Sequence, residues 1–196
     1  MRQFYQKLHL VPYNIYKLIV TVFLFLVSYT SAAQCPPNID FETGSFNSWE
    51  CFQGTTRSSG GINAINLNLT TPITNRHEIM SSKTDKDKYG NFPVVCPYGG
   101  NYSVRLGNEQ IGAGAEGVSY TFTVPGTVDS FSFTYFYAVV FEDPGHKEIE
   151  QPRFYVTAYE VATGNVINCA SFSYVATSTL PGFYQSQLRR GVLYKD

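Results

Sequence analysis

The sequence predicts an all-β fold, an antiparallel β-sandwich. Aromatic residues are abundant, with 15 Tyr and 15 Phe among 196 residues, while charged residues make up only 15%. After the N-terminal segment no helical period persists, whereas alternation of apolar and polar residues at period two recurs. Aromatic and β-branched side chains pack well on pleated surfaces, so this combination is typical of a sandwich.

Residues 1–33 have the pattern of a cleavable export signal. Basic residues precede an apolar run over 18–27, and small residues ending at Ala33 form a cleavage site. The run spans about ten residues, too few to cross a bilayer as a helix. We therefore expect a secreted or cell-surface protein whose residues 34–196 form one β-sandwich module, without a transmembrane anchor of its own.

The mature chain is mildly acidic. Removing the three basic residues of the signal leaves 11 of 14 basic residues against 15 acidic ones, a net charge of about −4. A surface of this charge without a basic stripe argues against a nucleic-acid partner.

The cysteines indicate disulfide bonds. Four cysteines lie after the signal, and an even number in an exported domain predicts two disulfides with three possible pairings. We favour Cys35–Cys51 and Cys96–Cys169, and no C-x-x-C pair supports a zinc site. Cys35 also allows a competing lipoprotein signal, but Gln34 stands where a small residue is expected.

Several segments have the alternation of β-strands, and the longest lies at 131–141. There, aromatic side chains occupy one face throughout and apolar residues fill the second face toward the end, which predicts a central core strand. Residues 55–89 are the least regular part, with an edge strand at 64–69. The other predicted strands are 39–42, 102–106, 118–124, 154–159, 166–175 and one beginning in 183–194.

An acidic loop, residues 142–151, follows the central strand. If extended, Glu148 and Glu150 would share a face about 7 Å apart at Cα, within reach of a glycosidase acid and base pair. Glu142 and Asp143 offer oxygen ligands for calcium, without the spacing of a known calcium loop. The simplest interpretation is a solvated turn built on a Pro-Gly pair, and no catalytic residue is assigned.

Charged and aromatic residues on the strands suggest a ligand surface. Arg105, Glu116 and Arg153 interrupt apolar strands; such charges either lie on the wet face or form an ion pair on a ligand-binding face. Tyr155 and Tyr159 share one strand face, where their rings can stack on sugars. The candidate ligand-binding residues are therefore Tyr155, Tyr159 and Arg105.

The start of the mature chain carries a resemblance. The motif Asp40-Phe41-Glu42-x-Gly44, followed by Trp49, resembles the opening strand of jelly-roll carbohydrate-binding modules and galactose-binding-like domains. In such families an acidic residue and nearby carbonyls often hold a structural calcium. The resemblance therefore implies Asp40 and Glu42 as calcium ligands.

A second resemblance covers 35–196 and rests on five successive segments. The segments VVCPYGGNYSVRLGN, AEGVSYTFTV, FTYFYAVVFEDPGH, QPRFYV and VINCASF together resemble the N-terminal module of large exported surface proteins of Bacteroidetes-type bacteria. Such proteins carry PKD or Ig-like repeats and a type IX secretion sorting domain. Because those modules continue through further strands, the resemblance implies a C-terminally truncated module.

These observations predict a non-catalytic extracellular module of an adhesion-type bacterial protein, with a glycan or a surface protein as partner. The alternative is a carbohydrate-binding module of a polysaccharide-degrading enzyme. No G-x-S-x-G segment indicates a hydrolase nucleophile, and glycine-rich stretches precede no helix that could bind phosphate.

Overall fold

The computed structural model describes Lys17 and residues 35–124, 126, 132–143, 145–177 and 180–196. The chain divides into two units, Met1–Pro36 and Pro37–Asp196. The predicted export signal lies outside the described residues apart from Lys17. The fold described below is that of the second unit.

The second unit consists of short antiparallel strands, which confirms the all-β class. The strands are β1 (Glu50–Ser59), β2 (Ile62–Thr70), β3 (His77–Met80), β4 (Ser103–Leu106), β5 (Gly114–Ser119), β6 (Val139–Glu142), β7 (Arg153–Val156), β8 (Phe172–Val175), β9 (Tyr184–Gln185) and β10 (Val192–Lys195). They pair in the orders β2-β1-β5, β6-β10-β9, β3-β4 and β7-β8. Two 3₁₀ turns, Glu148–Glu150 and Asn168–Ala170, are the helical segments among these strands.

The longest element is the hairpin of β1 and β2, in the region predicted to be least regular. Ser59 pairs with Ile62, so only Gly60 and Gly61 form the turn. Both glycines have positive φ, +61° and +80°, as a type I′ turn requires. The prediction of irregular chain here was wrong because the Gly-Gly signal, which favours a tight hairpin, outweighs the weak alternation of β1. The predicted edge strand at 64–69 is confirmed within β2.

The opening motif forms a looped segment and not the predicted strand at 39–42. Asn38 organises it: its side-chain Nδ2 donates to the carbonyls of Ser45 and Asn47 at 3.0 and 2.6 Å. Its own carbonyl accepts the indole N–H of Trp49 at 2.8 Å. Phe41 has a φ of +61° and stacks on Trp49 with ring centroids 4.2 Å apart. Side-chain hydrogen bonds of this kind compete with strand pairing, which sequence alternation does not reveal.

The buried core lies where β6 and β10 pair. Val139, Phe141, Ala176 and Leu193 form one cluster, each less than 10% exposed, and half-buried aromatic side chains pack around it. Phe141 stacks on Phe183 with ring centroids 5.5 Å apart. Burial of apolar side chains from both strands holds the pair together, at roughly 1.5–3 kcal/mol for each large side chain.

Several predicted strands are shorter than expected. In the predicted central strand, 131–141, residue 131 lies outside the described residues, 132–138 belong to no strand, and the strand begins at Val139. Strand β5 likewise ends at Ser119, before the predicted 124, and the segment 166–175 begins with a 3₁₀ turn. Among the described residues, no strand pairs with 120–124 or 132–138, and pairing is what makes a strand. The segment from 166 makes only an isolated bridge, between Val166 and Tyr159, before its turn.

Candidate binding surface

One face of the run 133–141 passes from the core to the solvent. Phe141 and Val139 are 5% and 7% exposed, and Tyr137 is half-buried. Tyr135 and Phe133 on the same face are 36% and 48% exposed. The aromatic packing that forms the core therefore continues into an open surface.

We call the exposed end of this packing the open aromatic row: Phe122, Phe133, Tyr135 and Phe172. Ring centroids are 6.3 Å apart for Phe122 and Phe133, and 5.8 Å for Phe133 and Tyr135. Tyr135 and Phe172 are nearly parallel, 6° apart at 6.4 Å. Such offset arrangements are favoured by the ring quadrupoles and keep the rings in register.

Two tyrosine hydroxyls form a hydrogen bond where the open aromatic row meets the core. The hydroxyls of Tyr137 and Tyr174 lie 2.9 Å apart. The hydrogen bond to Tyr174, followed by burial, raises the pKa of Tyr137 to about 12. Burial also raises the pKa of Tyr135. Both phenols are therefore neutral at physiological pH, and the row carries no charge.

The opposite face of the same segment carries a second aromatic contact. Phe136 is 62% exposed and Tyr98 is 78% exposed, and their ring centroids lie 4.8 Å apart. This pair extends the exposed aromatic area onto the reverse side of residues 132–138.

The structure separates the three predicted ligand-binding residues into two regions. Tyr155 and Tyr159 are 45% and 56% exposed on the wet side of their segment, as the alternation predicts. Arg105 belongs to β4, where it forms an ion pair with Glu78 of β3. A shared role of the tyrosines in binding a ligand stays a prediction.

The charge of Glu116 is not on a wet face. Its side chain is 11% exposed and forms an ion pair with Arg76. Arg153 is half-buried, and its Nε has no partner among the described residues. Glu116 therefore fits the ion-pair alternative better than the wet-face interpretation. No sequence pattern pointed to Arg76 as its partner.

Glu42 ties the opening loop to the segment after Gly100. Its carboxylate accepts hydrogen bonds from the backbone N–H of Asn101 at 2.6 Å and of Tyr102 at 3.2 Å, and from the Asn101 side chain at 2.9 Å. These donors lower the pKa of Glu42, and the backbone N–H of Asn101 has the largest effect. Asp40 accepts the backbone N–H of Glu42 at 3.2 Å. A cation at Glu42 would have to share oxygens that already accept N–H groups.

The carboxylates of the acidic loop also have protein partners. Glu142 forms an ion pair with Arg189. Asp143 accepts the backbone N–H of Gly145 at 2.9 Å and the side-chain amide of the buried Gln151 at 2.6 Å. Within the described part of the chain, no three His, Cys, Asp or Glu side chains converge on a common point. Calcium at Asp40, Glu42, Glu142 or Asp143 stays a prediction.

Glu148 and Glu150 are not in the extended conformation that would place them about 7 Å apart at Cα on one face. Both belong to a 3₁₀ turn, so the spacing of an extended chain does not apply to them. Both side chains are exposed.

His77 is a buried residue that the sequence did not mark. It is 4% exposed; its Nδ1 accepts the N–H of Ile73 at 3.3 Å and its Nε2 lies 3.0 Å from the carbonyl of Phe52. Because Nδ1 accepts, Nε2 carries the proton and donates to that carbonyl. The imidazole thus joins β3 to β1, a structural role.

The four cysteines, all within the described residues, are free thiols in this structure. Cys51 is buried, which raises its pKa and lowers its reactivity. Cys96 is half-buried and Cys169 is exposed, while Cys35 belongs to the other unit. The pairing Cys35–Cys51 and Cys96–Cys169 stays a prediction for the oxidised protein.

A second candidate is a hollow of about 570 Å³. Phe46, Trp49, Leu69 and Ile79 line it, with Cys51 beside them. Its lining also includes the polar residues Ser45, Asn47, Glu50 and Thr70. We regard the aromatic row as the stronger candidate because Phe133 and Tyr135 are exposed, and because ring contacts order the row and continue it into the core.

No family model, curated protein or solved structure matches this chain. The resemblance to jelly-roll modules and to exported surface proteins therefore stays a prediction. No helix in the described residues has the length and hydrophobicity needed to span a membrane.

Proposed function

We propose that this chain is a non-catalytic extracellular module of a secreted or cell-surface adhesion-type protein of a bacterium, with a jelly-roll sandwich architecture. The observation that carries the proposal is the open aromatic row, where Phe133 and Tyr135 remain 48% and 36% exposed at the end of the core packing. Exposed aromatic patches mark interaction sites because leaving them in water has a cost.

The carboxylates support a role without catalysis. Five glutamates of the second unit have basic or amide partners that fix them in structural contacts: Glu42, Glu78, Glu109, Glu116 and Glu142. Catalytic acids and bases need a pKa tuned toward the working pH. Instead, the pKa values of Glu42 and Glu109 are lowered by their donors.

Export is the second element of the proposal. It is supported by the signal pattern over 1–33 and by the even number of cysteines. Expression of the full chain in a bacterium, followed by mass spectrometry of the exported protein, tests it directly. We expect an N-terminus at Gln34 and two disulfides, whereas intact protein retained in the cytoplasm would contradict export.

The alternative function is a carbohydrate-binding module, favoured by Tyr155 and Tyr159. Their rings are 45% and 56% exposed on one side of the segment 153–159. Isothermal titration with soluble polysaccharides, using the exported protein and a Tyr155→Ala, Tyr159→Ala double variant, separates the two functions. Loss of glycan binding in the double variant alone would support the alternative.

The adhesion proposal is tested on immobilised extracellular proteins and glycans. We expect the wild-type chain to be retained and a Phe133→Ser variant to lose retention, while Tyr155→Ala is retained normally. Hydrolysis of any polysaccharide by the purified chain, measured as new reducing ends, would show that the module is an enzyme and would refute the proposal.

A further inference from the structure

Residues 132–138 belong to no strand, although their aromatic rings alternate at a strand-like spacing. The rings of Phe133, Tyr135 and Tyr137 follow one another at 5.8 and 6.1 Å on one side, close to the two-residue repeat of a β-strand. No backbone hydrogen bond joins this segment to any other residue that the structure describes. Strand pairing begins only at Val139, opposite Lys195.

Such a segment is a template for strand addition. An unpaired strand presents a row of N–H and C=O groups, and its pairing with another extended chain satisfies them. Aromatic residues at period two, without charge, glycine or proline, strengthen such pairing. The stretch from Ser132 to Phe141 contains none of the three.

The segment is also complementary to itself. If two copies pair antiparallel about a two-fold axis at Tyr135, Phe133 of each copy lies opposite Tyr137 of the other, and Tyr135 lies opposite Tyr135. Aromatic pairs directly opposite one another stabilise antiparallel strands. On the other face, Phe136 lies opposite Thr134. Because the segment is uncharged, this register brings no like charges together.

We propose that residues 132–138 pair with the same segment of a second copy of this chain, forming an isologous dimer centred on Tyr135. Dimer formation continues β6 as a strand through 132–138 and covers the exposed rings of Phe133 and Tyr135. The dimer covers the two rings on which the adhesion proposal rests, so self-association and adhesion compete for one surface, and the Tyr135 mixing experiment reports on self-association alone. The glycan alternative at Tyr155 and Tyr159 uses a different surface.

The dimer is tested with charged variants at the axis. Tyr135→Lys places two lysines opposite each other and Tyr135→Glu places two glutamates there, so each variant alone should associate about tenfold or more weakly than wild type. Mixing the two variants places Lys opposite Glu and should restore a mixed dimer. Tyr184→Lys, at a tyrosine that is 61% exposed in β9, is the matched control and should dimerise as wild type does.

Analytical ultracentrifugation of the exported, oxidised protein over a concentration series measures these equilibria, and thermal melting verifies that each variant is folded. Restoration by mixing supports the two-fold register, since only folded partners can restore the dimer. A wild-type protein that stays monomeric overturns the proposal, and so does a Tyr135→Lys variant that still dimerises. A folded mixture that stays monomeric also overturns it, as does a monomer that captures a different extended peptide instead of its own copy.

Discussion

Shortening Phe141 to alanine should destabilise the fold much more than the same change at Phe133, although both rings lie on one face of one aromatic run. Phe141 is 5% exposed, stacks on Phe183 and packs in the central cluster. Truncation of a buried Phe typically costs about 3–5 kcal/mol in the free energy of unfolding. Phe133 is 48% exposed, so about half of its surface is already in water and the expected loss is roughly 1–2 kcal/mol.

Urea unfolding, followed by the fluorescence of the single Trp49 and by circular dichroism, measures both values. The protein concentration must stay below that at which copies associate, because a dimer would also bury Phe133. Val161→Ala, at a side chain that is 67% exposed, controls for nonspecific effects and should change the unfolding free energy very little. Equal losses at Phe133 and Phe141 in the monomer would show that the whole run is buried, and the graded exposure would then be wrong.

Four further predictions concern His77, Glu42, structural calcium and the cysteines. Replacing His77 by leucine should cost about 1–3 kcal/mol, because the Phe52 carbonyl loses its donor; urea unfolding measures it, and an unchanged midpoint would contradict the role. Glu42→Gln should lower the protection factor of the Asn101 amide against hydrogen exchange. In the wild type this protection factor should be full above the ordinary glutamate pKa and fall as pH drops through the lowered value; a protection factor that does not change with pH would contradict this. If calcium is bound, the melting temperature should be lower in excess chelator than in millimolar calcium, and equal melting temperatures would contradict a calcium site. The Cys96–Cys169 disulfide should stabilise the oxidised chain by roughly 4 kcal/mol, and peptide mapping that recovers four free thiols would refute it.

The sequence by itself determined the class of the fold. Period-two alternation of aromatic and β-branched residues predicts strands wherever pairing is available, and β2, β4 and β8 lie in segments that show it. The alternation also predicted which side of the β7 segment is wet, because successive side chains point to opposite faces whatever the neighbouring strand is. These properties are local, so a linear sequence contains them.

Tertiary structure decided which alternating segments form strands and which carboxylates are held in hydrogen bonds and ion pairs within the protein. Residues 133–138 alternate as clearly as those after Val139, but only the latter have β10 beside them. Glu116 and Glu42 are held by Arg76 and Asn101, partners distant in sequence. Pairing and ion-pair formation depend on which residues meet across the fold, and this information is absent from local spacing. The open aromatic row lies where the pairing of β6 with β10 has ended, which only the tertiary structure determines.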